Sequence, residues 1–473
     1  MQLINKLLRI PSKNYDIVFV ISPCYDYQLP PLGLAYLTSY MKKCGYKIKM
    51  FDFNIEFYHT LAQNEKEIYE YEHHKLWANP KLFQRIKKRH TSEIKQYTKR
   101  IMDANCNLIC FSINAGTREF SFELAKEIKS TSKNKIIIFG GPGVSSDLEI
   151  KGALQSNLVD FCMVGEGEKT LEEFVFNYKN GLRLSIPGVL GKDNKQPFIK
   201  RKSVKDLGKF GYPTYKEFDL NKYSNIKLPI SFNRGCVRKC VFCDSAVTAG
   251  TLRLRSPEII LEEIKYHVFN NKRRLFYVTD LSMNSSLIQL EKICDLLIES
   301  NIKIEWTGNC VIRKDMSEKL IEKMAKAGCR AILMGIETGS NRLLKEMKKM
   351  FEIEDAERIL KTCKENGINT YVNLFVGFPG ETDEDINHTI KFLEKNKENI
   401  TEIQNIGLCF VLHSTKLYQN GEKYRLKNFN SMYEWEDEIG TYLNDRMKRL
   451  EKLNKEVKKL GIKVSTLTKV IDV

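Results

Sequence analysis

The run Asn233-Arg234-Gly235-Cys236-Val237-Arg238-Lys239-Cys240-Val241-Phe242-Cys243 sets three cysteines apart by three residues and then two. Three thiolates this close can hold one metal centre, but they fall one short of a closed four-thiolate cage. A four-iron cluster held by three cysteines keeps one iron open to an outside ligand, which turns an electron-transfer centre into a catalytic one. The competing use of such a trio is half of a structural zinc site, which needs four closed ligands. The nearest downstream ligand types, His267 and Cys294, do not sit in a paired ligand knuckle. Cys363 and Cys409 stand alone in apolar runs and read as core residues. The chain has 13 cysteines, an odd number scattered along its length, so a disulfide framework is not expected and a reducing compartment is.

The elements that must position this trio follow from the patterning. A length of 473 residues corresponds to roughly three domains. Residues 1–186 alternate short apolar runs with helical periods, the pattern of an open parallel α/β sheet. Strands are predicted at 16–22, 46–53, 107–113, 135–140 and 161–164, with an insertion of polar helices at 58–105. His73 and His74 in that insertion read as surface residues. Residues 187–226 are irregular and read as a linker. Strand and helix repeats restart over 227–420: strands are predicted at 228–233, 275–279, 303–307, 331–336, 370–376 and 403–411. Six strand–helix units suit a partial barrel rather than a full eight-stranded one. Ser256 and Pro257 predict the start of a helix, as N-cap and first helical residue. Residues 421–473 read as a helical, charged region.

In open parallel sheets and barrels alike, ligands bind beyond the carboxyl ends of the strands. In the first half those ends are 22–34, 112–117 and 140–146, the last rich in glycine, where backbone can approach a large flat ligand. In the second half they carry Asp280, Gly335, Glu337, Asn373 and Gly377. Carboxylates there can accept bonds from ammonium and hydroxyl groups.

The chain carries 76 Lys+Arg against 59 Asp+Glu, a net charge of +17. The lysines are dispersed over helix faces rather than massed in one stripe, and no aromatics interleave with them, so nucleic acid is not the expected partner. The longest N-terminal apolar run, residues 17–21, is too short for a signal sequence or a membrane span. A soluble cytoplasmic protein is expected.

The cysteine run, with Phe242 before its last cysteine, resembles the signature of the radical S-adenosylmethionine (SAM) enzymes. The preceding Asn233-Arg234-Gly235 is similar to the lead-in of the subfamily that carries a cobalamin-binding domain. Gly335-Ile336-Glu337-Thr338-Gly339-Ser340 and Asn373-Leu374-Phe375-Val376-Gly377-Phe378-Pro379-Gly380-Glu381-Thr382 resemble the family's later runs. Pro30-Pro31-Leu32-Gly33-Leu34-Ala35-Tyr36-Leu37, Phe139-Gly140-Gly141-Pro142-Gly143 and Val164-Gly165-Glu166-Gly167-Glu168 resemble the cobalamin domain. The resemblance implies a [4Fe-4S] cluster on Cys236, Cys240 and Cys243. It implies SAM beside Phe242, Asp280, Gly335, Glu337, Asn373 and Gly377, and cobalamin beside Pro31, Leu32, Gly33, Ser112, Thr117, Gly140, Gly141, Pro142 and Gly143. It further implies an electron donor of flavodoxin or ferredoxin type and reductive cleavage of SAM to a 5'-deoxyadenosyl radical.

Two runs depart from the pattern: a single Asp280 stands where a paired acidic motif is usual, and His413-Ser414-Thr415 replaces Pro-Gly-Thr. No Asp-x-His-x-x-Gly is present to supply a lower cobalt ligand. The expected activity is methyl transfer through cobalamin to an unactivated carbon of a small molecule, peptide or lipid. The alternatives are a radical rearrangement, cyclisation or oxidation without methyl transfer, and methylthiolation of transfer RNA. No catalytic acid or base is assigned; His413 is a candidate base and equally a surface residue.

Overall fold

The computed structural model describes residues 15–70, 73–192, 198–245, 249–439 and 441–467. Residues 1–14 of the expected first domain, 193–197 of the expected linker and 468–473 of the expected tail lie outside them. The chain divides into two compact units, Met1–Val204 with Lys209–Leu228, and Lys205–Gly208 with Pro229–Val473. Both are α/β units built on largely parallel sheets. No described helix is long and apolar enough to cross a membrane.

The first unit holds β1 (Ile17–Ile21), β2 (Ile48–Asp52), β3 (Leu108–Ser112), β4 (Ile136–Gly140), β5 (Phe161–Met163) and β6 (Val189–Gly191), in the order β2-β1-β3-β4-β5-β6. Every residue of Ile-Val-Phe-Val-Ile in β1 is buried, as a strand covered on both faces requires. Its register sets Val18 beside Lys49 of β2 and Ile109 of β3. β6 is antiparallel to β5, with Met163 opposite Val189, so the segment expected as a linker opens with an edge strand. Further along that segment, Ser224 and Asn225 donate backbone bonds to the carbonyls of Tyr27 and Gln28, and the Tyr223 hydroxyl bonds the half-buried Asp52. The insertion is more than a polar surface. Tyr69, Trp77, Phe83 and Tyr97 pack an aromatic layer against Phe57 and Phe120 of the sheet-covering helices.

The second unit runs β7 (Leu228–Ile230), β8 (Asn233–Arg234), β9 (Arg253–Leu254), β10 (Leu275–Val278), β11 (Glu305–Cys310), β12 (Cys329–Glu337), β13 (Asn369–Val376), β14 (Glu402–Leu408), β15 (Leu426–Lys427), β16 (Glu436–Asp437) and β17 (Val464–Leu467). Its main sheet has the order β17-β14-β13-β12-β11-β10-β7. Ser256 caps the helix Pro257–Phe269, its hydroxyl accepting from Glu258 N–H at 3.2 Å. Such a cap contributes about 1 kcal/mol.

The tail is not helical throughout. β15 and β16 form a small antiparallel ribbon, and after the helix Leu443–Lys459 the chain turns at Gly461 (φ 71°) into β17, which pairs parallel to β14. The residues after the glycine, Ile-Lys-Val-Ser-Thr, are β-branched at three positions and fit a strand better than a helix. The tail also delivers a buried arginine. Arg446 is fully buried, lies 3.8 Å over the Trp435 ring, and donates to the Tyr433 and Trp435 carbonyls at 2.9 Å. Burial pulls its pKa down to about 10.

Beside it, Glu381 is 1% exposed and accepts the Gly377 N–H at 2.6 Å. Burial pushes its carboxyl up to about 8 against the pull of that N–H and of Arg449. The folded chain therefore holds this proton at pH values where the unfolded chain, titrating near 4.5, has lost it. Stability from this group is fullest at low pH and falls as pH rises through that window, by up to about 1.4 kcal/mol per pH unit. Glu381→Gln keeps an acceptor for Gly377 and removes the proton. Urea unfolding should show its stability advantage over wild type growing from pH 5 to pH 8; a constant difference would contradict the assignment.

Candidate active site

The cysteine loop leaves β8 through Gly235, whose φ is 95°. A Cβ there would meet the Thr251 carbonyl oxygen at 2.7 Å, so no other residue fits. Within the loop the Arg238 N–H donates to the Cys236 sulfur at 3.3 Å. Val241 anchors it: its N–H donates to Met347 O at 3.2 Å and its carbonyl accepts from Leu417 N–H at 2.8 Å. Its side chain is buried among Leu343, Met347, Phe378 and Val411. The trio is thus tied to a packed core through the residue between its second and third members.

All three thiols line one cavity of about 260 Å³. Phe242, Leu281, Asn309, Cys310, Gly335, Glu337, Lys349 and Asn373 share its wall. Phe242 meets Phe375 edge-on at 5.0 Å. Glu337 lies at a bulge between β12 and β13 with φ 71°, a left-handed conformation rare for a side-chain residue and concentrated at functional positions. Its carboxylate is 2.9 Å from the Lys349 ammonium, and both side chains are nearly buried. Burial pulls the lysine pKa down, yet Glu337 and Cys240 outweigh it and hold the ammonium above its usual range. A Cβ on Gly335 would fall 2.1 Å from the Glu337 carboxylate, so this glycine makes the room for the pair.

The wall fits a cluster and a polar ligand on two grounds. Burial raises the Cys236 and Cys240 thiols, while the Arg238 N–H and Lys349 respectively oppose it, so an N–H and a cation already face the two sulfurs. Second, the side-chain oxygens of Asn309 and Asn373 are buried in this wall without a hydrogen-bond partner in the protein. Buried acceptors left unpaired cost free energy, which a ligand offering N–H or O–H groups returns. Among the described residues, no three His, Cys, Asp or Glu side chains converge tightly enough for a single ion.

The structure thus gathers the three cysteines, Phe242, Gly335, Glu337 and Asn373, and leaves two expected residues elsewhere. Asp280 is 5% exposed and does not line the cavity; it accepts the N–H groups of Phe232 and Asn233 at 3.0 and 2.9 Å. It braces the strand that feeds the cysteine loop, with burial pushing its pKa up to about 7. Gly377 also lies off the cavity: a Cβ there would meet the Arg446 side chain at 2.6 Å, so its role is to admit that arginine. His413 is exposed, with its ring against Tyr418 at 4.4 Å and Phe429 at 5.1 Å.

In the first unit, Pro31 precedes the helix Leu32–Lys43, and Gly33 faces open space. Ser112 and Gly140 end β3 and β4 side by side, and a Cβ on Gly140 would touch Met163 at 3.8 Å. Two of the expected contacts, Thr117 and Gly143, are buried, while Gly141 is exposed. Thr117 is fully buried, its hydroxyl bonding the Ser112 carbonyl at 3.2 Å. Cβ atoms on Gly141 and Gly143 would meet Ile113 at 2.9 and 2.7 Å, so these glycines pack one strand-end loop on the next. Pro142 starts the short helical turn Pro142–Val144 between them.

Sequence patterning missed Lys349, Asn309 and Arg238. Lys349 sits in a lysine-rich run with no distinguishing mark. Asn309, a polar residue inside the strand run Trp306-Thr307-Gly308-Asn309-Cys310, did carry a signal: only a site or a partner explains an amide there.

Residues 230–393 match the Radical SAM superfamily. An uncharacterized methyltransferase of Pyrococcus horikoshii is 27% identical over 58% of this chain; the match spans 61% of that relative, less than two thirds of its length. The bacteriochlorophyllide d C-8(2)-methyltransferase of Chlorobaculum tepidum is 25% identical over 74% of this chain and 75% of its own. Among solved structures, the radical SAM methyltransferase TsrM from Kitasatospora setae, with cobalamin and a [4Fe-4S] cluster bound, superposes with a TM-score of 0.67 at 15% identity. That likeness covers 93% of this chain and 89% of TsrM and is one of fold.

Gly335→Ala is expected to push the Glu337 carboxylate off Lys349 while leaving the barrel folded. Calorimetric binding of SAM to the variant should weaken about tenfold or more, the cost of one broken charged pair; unchanged affinity would separate the pair from the ligand site. With its cysteine loop on the carboxyl side of a parallel strand array and the matched segment spanning both, the second unit of this chain carries a domain of the radical SAM superfamily.

Proposed function

We propose that this protein is a cobalamin-dependent radical SAM methyltransferase acting on an unactivated carbon. The observation that carries the reading is the convergence of Cys236, Cys240 and Cys243 on one cavity with the Glu337–Lys349 pair and the unpaired Asn309 and Asn373 oxygens. When bound, the cluster supplies one electron and an open iron for SAM cleavage, and cobalamin supplies a methyl carrier.

The residues divide the remaining work. Cys236, Cys240 and Cys243 would hold the cluster. Lys349 presents a buried cation to the SAM carboxylate, and Glu337 an anion to its ammonium or ribose hydroxyls. The Asn309 and Asn373 oxygens accept from ligand donors at fixed positions. Phe242 and Leu281 supply apolar wall and exclude water, as radical chemistry requires. In the first unit, the open position at Gly33 is where backbone lies free for a corrin to approach. The likeness in fold to TsrM and the methyltransferase relatives support methyl transfer over other radical chemistry.

Anaerobic reconstitution followed by ultraviolet-visible spectroscopy tests both cofactors at once: a cluster band and a separate corrin spectrum are expected, on the order of one each per chain. Cys240→Ala should lose the cluster band and all 5'-deoxyadenosine production, with corrin uptake intact. A wild-type protein that takes up a cluster and no corrin would remove methyl transfer and leave a corrin-free radical reaction.

A further inference from the structure

The run His413-Ser414-Thr415 stands where the resembled pattern has Pro-Gly-Thr, and it forms a tight turn after β14. Thr415 is fully buried. Its N–H and its hydroxyl both donate to the Leu412 carbonyl, at 3.0 and 2.7 Å, and its hydroxyl accepts the Tyr418 N–H at 3.4 Å. The Ser414 carbonyl accepts from the Gln419 amide at 3.1 Å. Two residues past Thr415, the fully buried Leu417 gives the N–H that holds the Val241 carbonyl. Backbone alone therefore fixes this turn against the cysteine loop. His413 adds nothing to that contact; its ring lies against Tyr418 and Phe429.

From the turn, the Ser414 hydroxyl donates to the Asp244 carboxylate. Asp244 lies between Cys243 and Ser245, and both of these line the cavity of the three thiols. The Cys243 N–H donates to Cys240 O at 3.3 Å, which closes the loop just before the aspartate. A glycine at 414 has no atom to make the bond to Asp244. A hydroxyl on a carboxylate is a charge-assisted donor, stronger than a neutral one. Here it fixes a negative charge one residue from a cluster ligand, on the opposite side of the trio from the cation Lys349 that faces Cys240. Net charge and hydrogen bonding around the sulfurs set the potential of an iron–sulfur centre, and a nearby anion makes adding an electron harder. Resting on the cluster assignment made above, we propose that Ser414 is a positioning residue: it latches Asp244 beside Cys243, and the latched carboxylate holds down the reduction potential of a cluster on the three thiols.

The experiment is a potentiometric titration of the reconstituted holoenzyme read by electron paramagnetic resonance, with iron content measured first. Every variant keeps the three thiols and should load iron as wild type does. Asp244→Asn keeps an oxygen for the Ser414 hydroxyl and removes the charge, so the potential should shift upward. Ser414→Gly installs the glycine of the resembled pattern and loosens the carboxylate. The potential should shift the same way by less, with a broadened resonance. Ser414→Thr keeps the hydroxyl and should return the wild-type potential. A serine that served packing alone would change stability in urea and leave the potential where it is. The proposal is overturned if Asp244→Asn or Ser414→Gly leaves the potential unchanged or lowers it, or if a folded Ser414→Gly protein loses its iron. Ser414→Ala takes the place of the glycine variant should that one not fold. A wild-type protein that takes up no cluster sinks both this proposal and the function above; a loaded wild type whose variants share its potential sinks this one alone.

Discussion

The second unit depends on how one residue, Val241, is held. Its backbone is bonded on both sides, to the turn after the helix Asn341–Glu346 and to the helix Lys416–Gln419, and its side chain fills a core shared by both. A loop carrying three thiols would otherwise be free to scatter them, and a cluster site demands fixed positions. Two flexible neighbours are thus subordinated to one rigid one: Cys240 and Phe242 take their places because Val241 cannot move. Asp280 does the same work from the other end, gripping the two N–H groups just before the loop begins.

Much of this was legible in the sequence because the physics is local. The strands of both sheets show as short apolar runs, since parallel strands are covered on both faces. The trio shows because ligand spacing is dictated by the group to be held. The carboxyl-end rule pointed to Glu337 and Asn373 from strand position alone, and both line the cavity beside the cysteines. Asp280 and Gly377, which the rule also pointed to, lie off that cavity, because position at a strand end does not say whether a group turns toward a ligand or back into the protein. Asp280 found two backbone donors, and Gly377 yields space to an arginine that lies 69 residues further along the chain. Thr117 and Gly143 are buried too, the glycine against Ile113, which lies 30 residues earlier in the chain. Lys349 was invisible because only a left-handed turn on either side separates it from its exposed neighbours.

The cavity wall combines opposite demands. Glu337 and Lys349 are a buried ion pair, and burying two charges is costly even when they meet. The cost is tolerable where each charge has a further task, and a glycine at 335 has been kept open so that the pair can form at all. The left-handed backbone at Glu337 adds to that expense. Strain, buried charge and unpaired amide oxygens gathered in one place mark a surface shaped for a ligand rather than for stability.

The sheet of the second unit is finished by its last strand. β17 covers the outer edge of β14, yet it is made some 55 residues later. During synthesis, β14 therefore emerges with a bare row of peptide groups along one side, an invitation to any other extended chain nearby. The charged helix Leu443–Lys459 lies between the two in sequence and packs against β14. Its buried Leu450, Leu453 and Val457 hold it there, and the turn at Gly461 then delivers β17 to the open edge.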